Sequence, residues 1–328
     1  MISPFGMTSE GPADKIDLEA GEVSCSVITY GAALQSLTVP DREGFYTDVA
    51  LGYQTASEYE SRHGRMGAVI GRFANRIADG RFPFEGRTVE LSKNRGPDHI
   101  HGGFRGFDRR IWHIDESGED HAVLSIRSAD GEEGYPGNLE ASVRYTVSEE
   151  GLRIDYLAHS DADTVCSLTN HSYFNLAGQG NGDVSGHTLR IGASRYLPSG
   201  DRSLPTGEIV AVDGTPMDFR EPRSLGARLR KYGGYDCCYL LDGEDAAEVS
   251  CGDTGITMKL RTDLPALQFY TAEGLKPCTG KDGASYGRRS GLCLETEFCP
   301  DSPNHGNFPS CVLHAGEEYR HYALFSFR

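Results

Sequence analysis

The 328-residue chain carries 48 acidic and 32 basic side chains, a formal net charge of −16, together with 41 glycines and 15 prolines. That charge disfavours nucleic acid and anionic lipid as partners, and 38% hydrophobic residues exceeds what a disordered chain carries. So many turn formers also argue against a helix bundle.

The start of the chain has no basic segment leading into an apolar one, and no run of about 18 apolar residues follows anywhere. We expect a cytoplasmic protein with no nucleic-acid or membrane partner. The nine cysteines are odd in number and form no CxxC pair, so free buried thiols are expected, with no structural zinc.

In chain order, Val23, Cys25 and Val27, then Leu34, Leu37 and Val39, alternate with polar residues around Gly31, which predicts strand, bend, strand. Thr55 to Arg62 offers two turns of helix. Gly80 to Leu91 predicts a hairpin about Glu85-Gly86, and Ala141 to Ala158 a longer one about Glu149-Glu150. Further strand-like runs cover His187 to Leu197, Ile256 to Arg261, Ala266 to Thr271 and Tyr319 to Phe327, and Ser224 to Lys231 is a second short helix. With no linker, repeat or composition break, residues 1–328 are expected to form a single all-β domain, a large antiparallel β-sandwich or barrel-like fold with only short helices.

Four segments interrupt this rhythm with polar groups. In Thr169-Asn170-His171-Ser172-Tyr173-Phe174-Asn175, hydrogen-bonding side chains sit between Leu168 and Leu176. In Leu292-Cys293-Leu294-Glu295-Thr296-Glu297, the strand period places both glutamates on one side, and one of them is expected to turn inward. His99 and His101 share a glycine-rich loop, where an extended backbone would aim them alike, toward a metal or a substrate. Arg72, Asn75 and Arg76 suit hydroxyl-rich or anionic ligands as well as structural ion pairs. The glycines of 178–182 precede no βαβ unit and predict a turn, not a nucleotide loop.

Together the blocks GRFANRIADGRF, HIHGGFRGFDRRIW, DGEEGYPGNL, LTNHSYFNLAG, PTGEI, LCLETEFCPDSPNH and HAGEEY resemble, in order and wording, the aldose 1-epimerase (galactose mutarotase) family over nearly the whole chain. The resemblance implies the galactose mutarotase-like β-sandwich, with His171 as general acid and Glu295 as general base. It implies sugar-hydroxyl contacts from Asn75, Arg76, His101, Tyr173, Asp236 and Gln268. It also implies an aldohexose substrate, no cofactor and no metal, in a monomer or homodimer. One departure is Cys237, where the family commonly has histidine after the aspartate, a change that bears on the surroundings of Asp236.

The implied chemistry is opening of the pyranose, rotation about C1–C2, and reclosure. A carboxylate beside O1 takes one proton while an imidazolium beside O5 supplies another, and an unperturbed histidine, with a pKa of about 6.5, would offer both forms near neutrality. Rival readings are a non-catalytic sugar-binding module, a glycoside hydrolase using Glu295 with Asp236, and a hexose-6-phosphate epimerase using Arg72 and Arg76.

Overall fold

The computed structural model describes residues 1–62 and 64–328. A nine-stranded antiparallel sheet forms the largest layer, in the spatial order 113–117, 121–128, 139–148, 151–160, 318–327, 257–262, 245–251, 187–191 and 223–224. Its central hairpin, Leu139–Ser148 with Gly151–Ser160, is the longest match to the expected alternation. Leu139, Ala141, Val143, Tyr145 and Val147 are buried while their neighbours are at least partly exposed. The strand Glu318–Phe327 pairs on both sides within this sheet, against 151–160 and 257–262.

Two five-stranded sheets oppose it. One is a meander of Ile2–Thr8, Gly11–Ala20, Val23–Ile28, Ala33–Pro40 and Tyr46–Asp48; the other has the order 210–211, 195–197, 236–240, 266–270, 293–297. Inward residues from all three layers, among them Leu18, Leu34, Tyr145, Ile154, Phe269 and Phe325, meet in one apolar core. Each buried Leu or Val there stabilises the fold by roughly 1.5–3 kcal/mol. The fold is the all-β sandwich with only short helices that the sequence predicts.

The two expected helices form at Ala56–Ser61 and Leu225–Tyr232. Thr55 caps the first in a reciprocal capping box with Glu58. Among the described residues, neither these nor any other helix is long and apolar enough to cross a membrane.

One run differs from expectation. His187 to Leu197 is not a single strand but two, His187–Ile191 in the large sheet and Arg195–Leu197 in the second five-stranded sheet, with the chain crossing between layers at 192–194. An ideal Cβ on Gly192 would stand 2.1 Å from the carbonyl oxygen of Asp245, so the crossing passes too close to its neighbour for any other residue. All nine cysteines are free, as expected.

Candidate active site

Strands 236–240, 266–270 and 293–297 form one wall of the site, with Gln268 in register with both Cys238 and Glu295. Because side chains alternate between faces, Cys237, Tyr239, Leu267, Phe269 and Leu294 enter the main core. Asp236, Gln268, Cys293, Glu295 and Glu297 share the opposite face. The unusual Cys237 therefore packs into the interior, one face away from its neighbour Asp236. Gln268 Nε2 donates to Asp236 Oδ1 at 2.6 Å, holding that exposed carboxylate across the strand pair.

The 169–175 segment supplies the second wall. Thr169 and Asn170 pair with Ile70 and Val69, and Phe174 exchanges two backbone hydrogen bonds with Leu292, at 2.8 and 2.9 Å. The second of these contacts draws the segment onto the glutamate strand. Backbone bonds from His171 N to Ala68 O and from Gly67 N to His171 O, both 2.9 Å, fix the histidine itself. Gly67 has φ +68 and leaves no room for a side chain, since a Cβ would lie 1.9 Å from Leu34 O. The polar density of this block divides by role. Asn170 ties the loop to Gly67 O and to the Tyr145 hydroxyl, Asn175 ties it to Ser290 O, and His171 and Tyr173 stack with centroids 5.1 Å apart.

His171 Nε2 lies 3.7 Å from Glu295 Oε2, and both side chains are buried. The His101 ring packs edge-on against His171 at 5.5 Å, and its Nδ1 accepts the backbone N–H of Asn75 at 3.1 Å. Asn75 Nδ2 donates to Glu297 Oε1 at 3.0 Å. Arg76 flanks this group, its guanidinium 3.4 Å from Asn75 Oδ1. Thus His171, Glu295, Asn75, His101 and Tyr173 meet in one place, and Asp236 and Gln268 lie on the same sheet face as Glu295.

Three expectations change. Both glutamates, not just one, are buried, because the 169–175 and Asn75 segments cover that face of the strand. His99 and His101 are not aimed alike, since His101 takes φ +52. His99 instead spans Tyr135 Oη and Ser92 O, both at 2.7 Å, in a structural role. Arg72 is fully buried and makes no ion pair among the described residues, its guanidinium donating to the carbonyls of Ser128, Ala129, Pro136 and Gly137.

Electrostatics also depart from an ordinary imidazole titrating near 6.5. Burial pushes the Glu295 carboxyl up to about 8, with Asp236 adding to the rise and Arg65 and Arg76 opposing it. Burial and then Arg65 push His171 down to about 3. Glu297 is raised well above the carboxylate range by burial and by Glu295. Near neutrality the His171–Glu295 pair therefore holds a single proton, the condition for taking one proton and returning another.

Arg65 was not singled out by the sequence. It adopts φ +50, pairs with the buried Asp108 at 3.0 Å, and opens the turn whose Ala68 carbonyl receives His171 N–H. No local pattern marks it, because its connection to the site runs through tertiary hydrogen bonds. Cys293 was not singled out either, although its place two positions before Glu295, on the same strand face, was a readable signal. Its Sγ lies 3.6 Å from His171 Nδ1, and among the described residues His171, Cys293 and Glu295 are a group able to hold a metal ion.

The aldose 1-epimerase family model matches residues 14–326. Curated relatives include galactose mutarotase from Rattus norvegicus, 40% identical over 97% of this chain and 94% of its own, and aldose 1-epimerase from Escherichia coli K12, 37% identical over 92% and 91%. Among solved structures, an aldose epimerase homologue from C. elegans superposes with a TM-score of 0.92 at 28% identity, covering 96% of this chain and 99% of that one. Galactose 1-epimerase from Lactobacillus acidophilus gives 0.87 at 25% identity, covering 100% and 98%. In sequence and in fold, the chain belongs to the aldose 1-epimerase family, isomerases that act on sugars.

Proposed function

We propose that the chain interconverts the α and β anomers of free aldohexoses, galactose first among them, with Glu295 as general base and His171 as general acid. The observation that carries the reading is the 3.7 Å approach of His171 Nε2 to Glu295 Oε2, a buried oxygen that has no hydrogen-bond partner among the described residues. Such an atom is placed to accept a proton from a substrate hydroxyl. The names of the rat and mouse relatives, galactose mutarotases, point to galactose as the first substrate.

With a pyranose between the two groups, the shared proton first passes from Glu295 to His171; the Glu295 carboxylate then takes the O1 proton as the C1–O5 bond breaks and the His171 imidazolium delivers its proton to O5. After rotation about C1–C2 the roles reverse and the ring closes on the other face of the aldehyde. No electron is gained or lost, so the cycle closes with these two proton carriers alone. Burial disfavours separated charges, so the proton rests on Glu295 in the free protein; Arg65 and Arg76 favour the carboxylate form during the cycle. Asn75, Arg76, His101, Tyr173, Asp236 and Gln268 orient the hydroxyls, and such orientation contributes a large share of rate in reactions of this type. Pairing of strand 318–327 with 151–160 and 257–262, and packing of the N-terminal meander on the same core, support residues 1–328 acting as one domain.

Polarimetry on freshly dissolved α-D-galactose and α-D-glucose tests the assignment. Glu295→Gln and His171→Asn are each expected to lower turnover by about 10²–10⁴-fold, the usual contribution of a positioned acid or base. Near-normal rates in both variants would overturn the roles.

A further inference from the structure

We propose that His171, Cys293 and Glu295 together form a binding site for a thiophilic divalent cation, zinc or cadmium, and that its occupancy blocks sugar turnover. The blocking part rests on the acid–base roles of His171 and Glu295; the binding part does not.

One ligand atom from each of the three buried residues lies within 4.8 Å of the others. Two come from one strand at i and i+2, and so already face the same way. The third comes from the 169–175 segment, which is pinned to that strand through Phe174 and Leu292. His171 stands between its partners, with Nδ1 at 3.6 Å from Cys293 Sγ and Nε2 at 3.7 Å from Glu295 Oε2. A tetrahedral zinc with ligands at roughly 2.0–2.3 Å sets ligand-to-ligand edges of roughly 3.3–3.8 Å. One ring nitrogen serves at a time, so closing the set on one ion requires the remaining atom to move in by about 1 Å.

A second observation points to a missing partner. Among the described residues, Glu295 Oε2 is buried and accepts no hydrogen bond, and the buried Glu297 Oε2 is likewise unpaired. Imidazole, thiolate and carboxylate form the mixed donor set that soft or borderline cations prefer. The balance is simple: a dication displaces one proton from Cys293 and one from Glu295, both protons leave to solvent, and the two resulting anions offset its charge with a neutral His171. The fourth position stays open to water or a sugar oxygen. Bound there, the ion occupies the lone pairs that accept and pass protons, so it competes with mutarotation.

The full-length reduced chain, freed of metal by chelator, is titrated with ZnCl₂ while the rate on α-D-galactose is followed, and with CdCl₂ while the ultraviolet cadmium–thiolate band is followed. The expected result is inhibition saturating at one ion per chain, reversed by EDTA and weakened by excess galactose. In Cys293→Ala the inhibition constant, referred to that variant's own metal-free rate, rises at least tenfold and the cadmium band is lost. In Glu295→Gln the band remains but requires at least tenfold more cadmium, a readout independent of turnover. Cys278→Ser, at a half-buried cysteine outside this set, keeps both responses. An unchanged cadmium titration in Cys293→Ala overturns the site, and zinc binding without loss of rate overturns the blocking role. If the metal-free protein fails to turn over sugar, the acid–base reading fails while the cadmium arm still decides the site.

Discussion

His171 and Glu295 face each other at 3.7 Å, yet their proton affinities move opposite to those of an ion pair: the carboxyl is pushed up and the imidazole down. Burial outweighs their mutual attraction, because transfer of either charge out of water costs more than one imperfectly spaced contact returns. The consequence is a pair that is neutral at rest.

The pH profile follows from that balance. In the free protein Glu295 keeps its proton up to about 8, and His171 refuses a second one down to about 3. The kcat/KM for galactose, corrected for buffer-catalysed mutarotation, is expected to be flat between about 4 and 7 and to fall as pH rises past about 8. A decline setting in near 6.5 would instead assign the proton to an ordinary imidazole.

Stability carries the same signature with an explicit sign. Glu295 binds its proton more tightly folded than unfolded, so its contribution is present below about 4.5 and is lost as pH rises through about 8. Glu295→Gln removes that loss. At pH 9 it is expected to raise Tm by about 2–4 °C, the shift roughly 1 kcal/mol produces in a chain of this class, while lowering turnover by about 10²–10⁴-fold. Differential scanning calorimetry at pH 5 and 9 checks it, and an equal Tm change at both would count against a buried neutral carboxyl.

Arg65 acts at a distance on both groups. Arg65→Met removes the positive charge that lowers both Glu295 and His171, so the alkaline limb of kcat/KM moves to higher pH. It also takes from the buried Asp108 its 3.0 Å ion-pair partner, leaving only the longer 3.8 Å contact with Arg109, at a cost of roughly 1–3 kcal/mol in a chemical melt. A loss of stability with an unmoved limb would reduce Arg65 to a structural role.

Asn75 is expected to be more than a hydroxyl contact. Asn75→Ala strips Glu297 of its 3.0 Å donor, which should cost roughly 1–3 kcal/mol, and removing the carboxyl as well with Glu297→Met should recover part of it. A double-mutant cycle by urea unfolding measures the coupling, and strict additivity would show that the bond contributes nothing.

Arg72, although offered by the sequence as a candidate for phosphate, is committed to four backbone carbonyls. Arg72→Met is expected to destabilise the fold by about 3–5 kcal/mol, as loss of a buried charged donor does, without altering the ratio of rates on glucose and glucose 6-phosphate. A changed ratio would restore it as a ligand contact.

By itself the sequence determined the all-β class of this protein and offered candidate residues for its site. The alternation in 139–160 and the capping residue Thr55 are local signals, set by side-chain period and by orphan backbone groups at a helix end, and each appears where the residues predict it. The blocks containing His171 and Glu295 were recognisable as words before any geometry was known. Tertiary structure alone decided what those words mean together. It buried both glutamates, turned Cys237 into the core, separated His99 from His101, withdrew Arg72 into the interior and brought Arg65 to the site. Each of these depends on which face of a strand another segment covers, and on the water that segment displaces. Both are long-range properties of the packed chain, which no window of neighbouring residues encodes.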